Sequence, residues 1–180
     1  MNKNISLISG NIFHSEMQTI AITVNCVGVM GKGIALEMKN KAPEAYEKYR
    51  DLCSAGKMKI GESIVYDEDL ESLNGKKLLF FPTKSHWRTP SKLFEIKSGL
   101  KHFAENYADM GIKSIAFPAL GCGNGGLDWN DVKPLMYELL EDLDIEIEIF
   151  EPGNQTETNL SGNQTETKSN PKPSKITDYS

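Results

Sequence analysis

The chain lacks any apolar run long enough to cross a membrane. No stretch of 18 consecutive apolar residues occurs, whereas a membrane-spanning helix needs about 20. The segment from Met1 to Ile8 also lacks the apolar core of a secretory signal. These two absences argue against a membrane-spanning or secreted protein. We therefore expect a cytoplasmic protein that has no membrane partner.

Cysteine is scarce as well. The three cysteines are Cys26, Cys53 and Cys122, and no C-x-x-C pair occurs. An odd number without such pairs argues against a disulfide framework or a zinc ribbon. Neither His14 nor His102 stands at metal-ligand spacing from a cysteine, so we predict no metal site and no cofactor. We interpret Cys26 and Cys122 as packing residues, because small buried cysteines are common.

Apolar residues are unevenly distributed along the 180 residues. Residues 152–180 contain few of them, and the sequence GNQTET occurs there twice, beginning at Gly153 and at Gly162. A polar, repetitive composition of this kind is typical of disorder. We therefore predict one domain over residues 1–151, followed by a disordered polar tail over residues 152–180.

Acidic residues are missing from one segment, although the net charge of the whole chain is −5. No Asp or Glu occurs from Ser72 to Phe94, and five cations fall there: Lys76, Lys77, Lys84, Arg88 and Lys92. The net charge argues against a general nucleic-acid binder, whereas the local basic segment points to an anionic ligand at one place. The alternative is a solvated basic face, which we favour for Lys76 and Lys77.

Predicted strands and helices alternate along the chain. Strands are predicted at residues 5–8, 20–24, 63–66, 77–81, 114–117 and 145–150, and helices at 34–42, 44–52, 92–110 and 129–142, the last with Asp128 as N-cap. We expect the strand over 77–81 to end at Pro82. This alternation predicts a layered α/β domain with a largely parallel sheet, which binds ligands at the carboxyl ends of its strands.

Two glycine-rich loops follow predicted strands. The first contains Gly28, Gly31 and Gly33 and leads into a helix, whose N-terminal N–H groups favour an anion such as phosphate. It matches neither the P-loop nor the G-x-G-x-x-G spacing, and a tight turn without a ligand is the alternative. The second runs from Gly121 to Leu127. We expect both loops and the basic segment to meet at one edge of the sheet.

Four groups of residues then resemble a known family. They are Gly10-Asn11-Ile12, Val24-Asn25 with Gly28 to Ala35, Phe81-Pro82-Thr83-Lys84, and Pro118 to Trp129. In this order, over about residues 3–150, they resemble a macro domain and, within that superfamily, the DarG branch. DarG proteins are the antitoxin partners of the DNA ADP-ribosyltransferase DarT. Terminal ADP-ribose protein glycohydrolases share the lysine and the G-C-G loop but use an aspartate where this chain has Gly125.

The resemblance implies a three-layer α/β/α fold with a mixed, largely parallel sheet, and ADP-ribose as the ligand. Asn11 stands where many macro domains place an aspartate against the adenine, and Asn25 is expected to face the distal ribose, where capping of the strand end is the alternative. Met30 and Lys32 are expected to close over that ribose. The implied ligand-binding residues are Asn11, Ile12, Asn25, Gly31, Lys32, Gly33, Ile34, Ala35, Thr83, Gly121, Cys122, Gly123, Asn124, Gly125, Gly126 and Leu127.

Lys84 is the predicted catalytic residue. A lysine at the end of an apolar strand beside a ligand cleft is partly desolvated, which lowers its pKa and favours the free amine. We expect the amine to act at the anomeric carbon of the distal ribose, as a nucleophile or by acid/base help. His86, Trp87 and Arg88 follow it. They either contact single-stranded nucleic acid or, in the case of Trp87, pack beneath the loop.

The function implied is removal of ADP-ribose from DNA, most of all from thymidine in single-stranded DNA. This reaction reverses that of a DarT-like transferase, which the resemblance implies as a partner, and we expect a monomer. Two alternatives stay open: a phosphatase acting on ADP-ribose 1″-phosphate, and an ADP-ribose-binding module without activity.

Overall fold

The computed structural model describes residues 4–152, so all of the predicted tail except Pro152 lies outside the described residues. The strands are β1 (Ile5–Ile8), β2 (Thr19–Asn25), β3 (Ile64–Leu70), β4 (Lys76–Lys84), β5 (Ser114–Phe117) and β6 (Glu146–Phe150). The helices are α1 (Gly33–Lys41), α2 (Pro43–Ser54), α3 (Leu93–Asn106) and α4 (Trp129–Leu140). Every predicted strand and helix is therefore present, although several ends differ.

The strands form one sheet in the order β1-β6-β5-β2-β4-β3. The pairs β1–β6, β5–β6, β2–β5 and β2–β4 are parallel, and β3 pairs with β4 in the antiparallel direction at one edge. The predicted mixed, largely parallel sheet is confirmed. The interior strands β5, β2 and β4 are neighbours and parallel, so their carboxyl ends lie side by side.

Helices cover both faces of this sheet. Successive side chains of a strand point to opposite faces, so an apolar strand such as β2 offers each face side chains against which helices pack. On one face Ile20 and Ile22 of β2 pack with residues of α1 and α2, including Met38 and Tyr49. On the other, Ala21 packs with residues of α3 and α4. The buried strands are apolar on both sides, as parallel sheets require. The predicted three-layer α/β/α arrangement is confirmed.

The prediction that β4 ends at Pro82 is wrong. Pro82 is fully part of the strand, where it stands opposite Val24 of β2, and the pairing then shifts so that Asn25 stands opposite Lys84. Proline cannot donate a ladder hydrogen bond, and such irregularities are where a sheet tolerates it. The consequence is functional, because the extended strand carries Lys84 to the carboxyl edge of the sheet.

The other differences are at element ends. Helix α3 ends at Asn106, earlier than the predicted Met110, and β3 extends to Leu70, beyond the predicted residue 66. Within residues 4–152, no helix combines the length and the apolarity that crossing a membrane requires.

Candidate functional site

Three loops meet at the carboxyl edge of the sheet. The first glycine loop (residues 26–32) follows β2, the basic loop (residues 85–92) follows β4, and the second glycine loop (residues 118–128) follows β5. Since β5, β2 and β4 are neighbouring parallel strands, their loops lie at the same edge. The prediction that the three segments converge is confirmed.

Two cavities open beside the glycine loops. The larger, which we call the lysine cleft, has a volume of about 570 Å³, and the second cavity has about 430 Å³. Predicted site residues that line the lysine cleft are Asn25, Gly31, Lys32, Ala35, Thr83, Lys84, Trp87, Arg88, Asn124, Gly125 and Gly126. Those that line the second cavity are Asn11, Ile12, Gly33, Ile34, Cys122 and Gly123. The second glycine loop therefore forms part of both cavities, whereas the first lines the lysine cleft and the start of α1, which follows it, lines the second cavity.

Three predicted site residues line neither cavity. Gly121 and Leu127 instead close the neck of the second glycine loop, where the Leu127 backbone N–H donates to the Gly121 carbonyl at 3.0 Å. A Cβ on Gly121 would lie 2.6 Å from Leu127 Cδ1. Both residues thus have a packing role in this loop, and their predicted ligand contact stays a prediction. The third residue, His86, lies in the exposed basic loop.

Asn25 organises the first glycine loop from the end of β2. Its Oδ1 accepts hydrogen bonds from the backbone N–H groups of Val27, Gly28 and Val29 at 3.0–3.3 Å. Its Nδ2 donates to the Val29 carbonyl at 2.8 Å. The capping alternative for Asn25 is thus present in the structure. The residue also lines the lysine cleft, so the predicted contact with a ribose stays a prediction.

Tyr49 of α2 holds Asn25 from behind. The ring is fully buried, and its hydroxyl lies 2.8 Å from both the backbone oxygen and Oδ1 of Asn25. Burial is the main cause that raises the pKa of this phenol, so the hydroxyl stays protonated and donates. Sequence reasoning missed this contact.

Helix α1 points its N-terminus at the boundary between the two cavities. Lys32 is the N-cap residue and provides no side-chain cap, while Gly33, which begins the helix, has a φ of 60°. The first N–H groups of the helix are thus available to an anion. Lys32 is exposed beside them, but Met30 is 2% exposed and packs in the core. The expectation that Met30 closes over the ligand is wrong.

Ser91 ties the basic loop to the second glycine loop. Its backbone N–H donates to the Gly125 carbonyl at 2.9 Å. A Cβ on Gly125 would lie 3.0 Å from Ser91 Cβ and in closer contact with Ser91 Oγ. This contact gives a physical reason for Gly125, because the serine occupies the space that an aspartate side chain would need there.

Lys84 lies at the end of β4 and is partly exposed in the lysine cleft. Its Nζ donates to the Trp87 carbonyl at 3.2 Å. Desolvation by burial, and secondly the positive charge of Lys32, lower the pKa of Lys84. The predicted direction of the pKa shift is confirmed. The shift increases the fraction of free amine at neutral pH, which a nucleophile or a base requires.

The basic loop presents an aromatic side chain to solvent. Trp87 is 45% exposed, so the alternative that it packs beneath the loop is wrong. Its ring stacks on that of His86 with centroids 5.4 Å apart, and the Arg88 guanidinium lies 4.6 Å from the ring centroid. His86 Nδ1 accepts a hydrogen bond from the Arg88 backbone N–H at 3.1 Å. The three residues thus form one exposed aromatic and cationic unit.

The cysteines and Asp128 have structural roles. Cys122 is buried, and burial raises the pKa of its thiol to about 12. Burial likewise raises the pKa of Cys26, to about 11. Thiols with raised pKa values are poor nucleophiles, so their interpretation as packing residues is confirmed. Asp128 accepts from the Asn130 backbone N–H at 2.9 Å, which confirms it as the N-cap of α4. Residues 4–152 hold no cluster of metal-ligating side chains.

The family model of the macro domain matches residues 22–136. The chain is 42% identical over 166 residues to a DNA ADP-ribosyl transferase-DNA ADP-ribosyl glycohydrolase fusion protein of Thermosipho africanus. The matched region covers 84% of this chain and 43% of that relative. The chain spans about two fifths of the length of the curated relatives that it matches first.

Solved structures show the same similarity. The macrodomain of Mycobacterium tuberculosis DarG superposes with a TM-score of 0.74 at 41% identity, covering 82% of this chain and 97% of that one. Thermosipho africanus DarTG in complex with ADP-ribose superposes with a TM-score of 0.80 at 41% identity, covering 83% of this chain and 42% of that one.

Proposed function

Because this chain belongs to the macro domain family, with the macrodomain of DarG as a relative at 41% identity, we propose that it is a DNA ADP-ribosyl glycohydrolase. The reaction consumes one water molecule, breaks the bond between the distal ribose and a nucleic-acid base, and releases ADP-ribose and the restored base. The proposed substrate is ADP-ribosylated thymidine in single-stranded DNA. The observation that carries the proposal is the position of Lys84 in a cleft walled by both glycine loops.

The two cavities together suit a ligand of the length of ADP-ribose. Gly33 and Gly123 line the second cavity, while their chain neighbours Lys32 and Asn124 line the lysine cleft. A ligand that occupies both cavities therefore crosses the two glycine loops and the N-terminus of α1. That boundary suits a diphosphate, because free N–H groups and the helix dipole favour negative charge by about 0.3–1 kcal/mol. The adenosine half then lies beside Asn11, and the distal ribose beside Lys84.

Asn11 is suited to bind the adenine but not with the strength of a carboxylate. The side chain is exposed at the second cavity, and its Oδ1 already accepts from the Phe13 backbone N–H at 2.9 Å. An amide oxygen has two acceptor sites, so a second hydrogen bond from an adenine amino group is compatible with this geometry. The bond lacks the charge assistance that an aspartate would provide.

Lys84 performs the chemistry in this proposal. As a free amine it either attacks the anomeric carbon, so that the base leaves and water then releases the sugar, or exchanges a proton as the glycosidic bond opens. Both routes need the amine to be partly unprotonated, which burial and the charge of Lys32 favour. Trp87 and Arg88 line the same cleft and are placed to meet the nucleic acid that carries the ribose.

The test uses an ADP-ribosylated thymidine oligonucleotide and measures the ADP-ribose released. We expect Lys84→Ala to lower the rate by about 10²–10⁴-fold, the usual contribution of acid/base help. Lys84→Arg should be equally impaired, because arginine keeps the charge but not the free amine. Lys77→Ala is the matched control, since Lys77 lies at the other end of β4 and pairs with Asp67 and Asp69.

Other outcomes would contradict the proposal. Wild-type activity in Lys84→Ala would remove Lys84 from the mechanism. Release of inorganic phosphate from ADP-ribose 1″-phosphate, without action on the oligonucleotide, would favour the phosphatase alternative. Binding of ADP-ribose without turnover of either substrate would favour the alternative of an ADP-ribose-binding module without activity.

A DarT-like transferase is the proposed partner, and the cytoplasm the proposed compartment. A curated relative at 42% identity is named as a fusion of a DNA ADP-ribosyl transferase with a DNA ADP-ribosyl glycohydrolase, which supports a functional link between the two activities. A DNA substrate is consistent with the cytoplasm.

A further inference from the structure

The exposed large hydrophobic side chains of residues 4–152 all lie in two segments. They are Val27, Val29, Trp87, Leu93 and Phe94. The first two belong to the first glycine loop, and the other three lie between the end of β4 and the first turn of α3. Scattered exposed apolar residues are normal in any protein, but a group beside a cleft marks an interaction site.

Phe94 is the most exposed member of this group. Its exposed fraction is 69%, and it is the second residue of α3. Ile96, two residues further along, is fully buried. Two residues of an α-helix are separated by about 200°, so Phe94 lies on the side opposite to the core. Packing of the domain therefore does not account for an aromatic residue at this position.

Phe94 lies near the mouth of the lysine cleft. Residues 87–90 line the cleft, and the Ser91 backbone N–H donates to the carbonyl of Gly125, which also lines it. The start of α3 is thus attached to the cleft wall. Phe94 follows Ser91 by three residues, so at most about 10 Å of chain separates them. The chain thus carries two exposed aromatic rings as it runs away from the cleft, first Trp87 and then Phe94.

The charged residues of the chain segment that carries these rings are positive up to Phe94. Arg88 and Lys92 are exposed beside them, and no acidic residue occurs from Ser72 to Phe94. Glu95 is the next acid, but it is half-buried and close enough to Cys26 to affect the pKa of that thiol, so it belongs to the inner side of the helix. Exposed rings alternating with cations are the composition that binds single-stranded nucleic acid, through base stacking and phosphate contacts.

We propose that Phe94 and Lys92 form the outer part of a docking surface for single-stranded DNA, which runs from the lysine cleft past Trp87 and Arg88. Phe94 stacks on a base that flanks the modified nucleotide, and Lys92 contacts the phosphate beside it. This inference rests on the proposed function and deepens it, because it assigns residues outside the cleft to the recognition of the strand.

The test measures binding of a fluorescein-labelled, unmodified thymidine oligonucleotide of about 12 nucleotides, within the range that one domain binds. Fluorescence anisotropy at low salt compares wild type with three variants of one residue. We expect Phe94→Ala and Phe94→Leu to weaken binding on the order of tenfold, because neither keeps a ring for stacking. Phe94→Tyr should bind as the wild type does.

The cation is tested with its own control. Lys92→Ala should weaken binding and reduce the dependence of affinity on salt, since one phosphate contact is lost. Lys113→Ala should change neither, because Lys113 is exposed and precedes β5, at the opposite end of the sheet. Circular dichroism should show unchanged unfolding for the variants of Phe94, whose side chain lies outside the core.

Three results would overturn the proposal. They are the absence of oligonucleotide binding by the wild type, wild-type affinity in Phe94→Ala, and a dimer that Phe94→Ala converts to a monomer in sedimentation. The last result would assign the surface to a second copy of the chain. The failure of the proposed function is distinguished by a separate measurement. That measurement is the release of ADP-ribose from an ADP-ribosylated nucleoside, which is too short to reach Phe94. If no ADP-ribose is released, the proposed function fails, whatever the result of the binding test.

Discussion

The two glycine loops line the same cleft but are held in place by different interactions. The first loop is held by one side chain, since Asn25 Oδ1 accepts hydrogen bonds from three consecutive backbone N–H groups. The Tyr49 hydroxyl in turn donates a hydrogen bond to the same oxygen. In the second, the backbone of Ser91 binds the backbone of Gly125, and the space beside the loop is already filled. The first loop thus depends on the presence of particular side chains, and the second on their absence.

This difference predicts which substitutions each loop tolerates. Removing hydrogen-bonding groups should loosen the first loop, while adding a single methyl group should distort the second. The proposed function imposes the same requirement on both loops, namely backbone N–H groups at fixed positions around an anion. The difference therefore shows that one requirement is met by two separate physical means.

The largest expected effect is on the second loop. In Gly125→Ala, the new methyl group would lie 3.0 Å from Ser91 Cβ and in closer contact with Ser91 Oγ, so the loop or the start of α3 must shift. We expect a loss of about 1–3 kcal/mol in the free energy of unfolding, as for other overpacked sites, with weaker binding of ADP-ribose. Thermal unfolding and calorimetric titration with ADP-ribose measure the two effects.

Ser91→Gly provides the control for this prediction, because it removes both serine atoms that the methyl group would meet. The double variant Gly125→Ala with Ser91→Gly should recover most of the lost affinity, so that the two effects are strongly non-additive. Additive losses would show that Gly125 matters for a reason other than its contact with Ser91. Strain of a left-handed backbone is not that reason, since Gly125 is absent from the positive-φ glycines of the described residues.

A smaller effect is expected at the support of the first loop. Tyr49→Phe removes the hydroxyl that lies 2.8 Å from two oxygens of Asn25. The loss of such a buried hydrogen bond costs about 0.5–1.5 kcal/mol, and the loop becomes free to move. We expect KM for the modified oligonucleotide to rise more than kcat falls, because Tyr49 positions the loop and does not reach the reacting atoms.

Tyr46→Phe is the matched variant for this comparison. Tyr46 lies on the same helix with its ring 6.5 Å from that of Tyr49, but it is half-buried and outside the loop. Equal kinetic parameters in the two tyrosine variants would contradict a positioning role for Tyr49.

The sequence predicts the fold well because its strands and helices are marked by local patterns. The buried strand of β2 and the glycine turn after it specify the edge where the loops converge, as the structure confirms for Asn25 and Lys84. Pro82 misled the prediction of a strand end, because a shift in strand pairing that accommodates proline depends on the neighbouring strand. Local sequence does not contain that information.

The contacts that hold the site were not predictable for the same reason. Tyr49 and Asn25 are 24 residues apart, and the contact of Ser91 with Gly125 joins two loops that follow different strands. Met30 shows the reverse error. Its place in a glycine loop suggested a ligand contact, whereas the apolar side chain turns into the core. Side-chain direction in an irregular loop has no periodicity from which it can be predicted.

The smallest expected effect concerns a charge that the first glycine loop provides. Lys32 of that loop lowers the pKa of Lys84, as the second cause after burial. In Lys32→Ala the pKa of Lys84 should therefore rise, so that less free amine is present at neutral pH. Because the proposed mechanism requires the free amine, the profile of kcat/KM against pH should shift toward higher pH. Lys113→Ala, at the opposite end of the sheet, should leave the profile unchanged. An unshifted profile in Lys32→Ala would mean that the first loop does not influence the pKa of Lys84. The two glycine loops would then differ in how they are held in place, but not in their electrostatic effect on the amine.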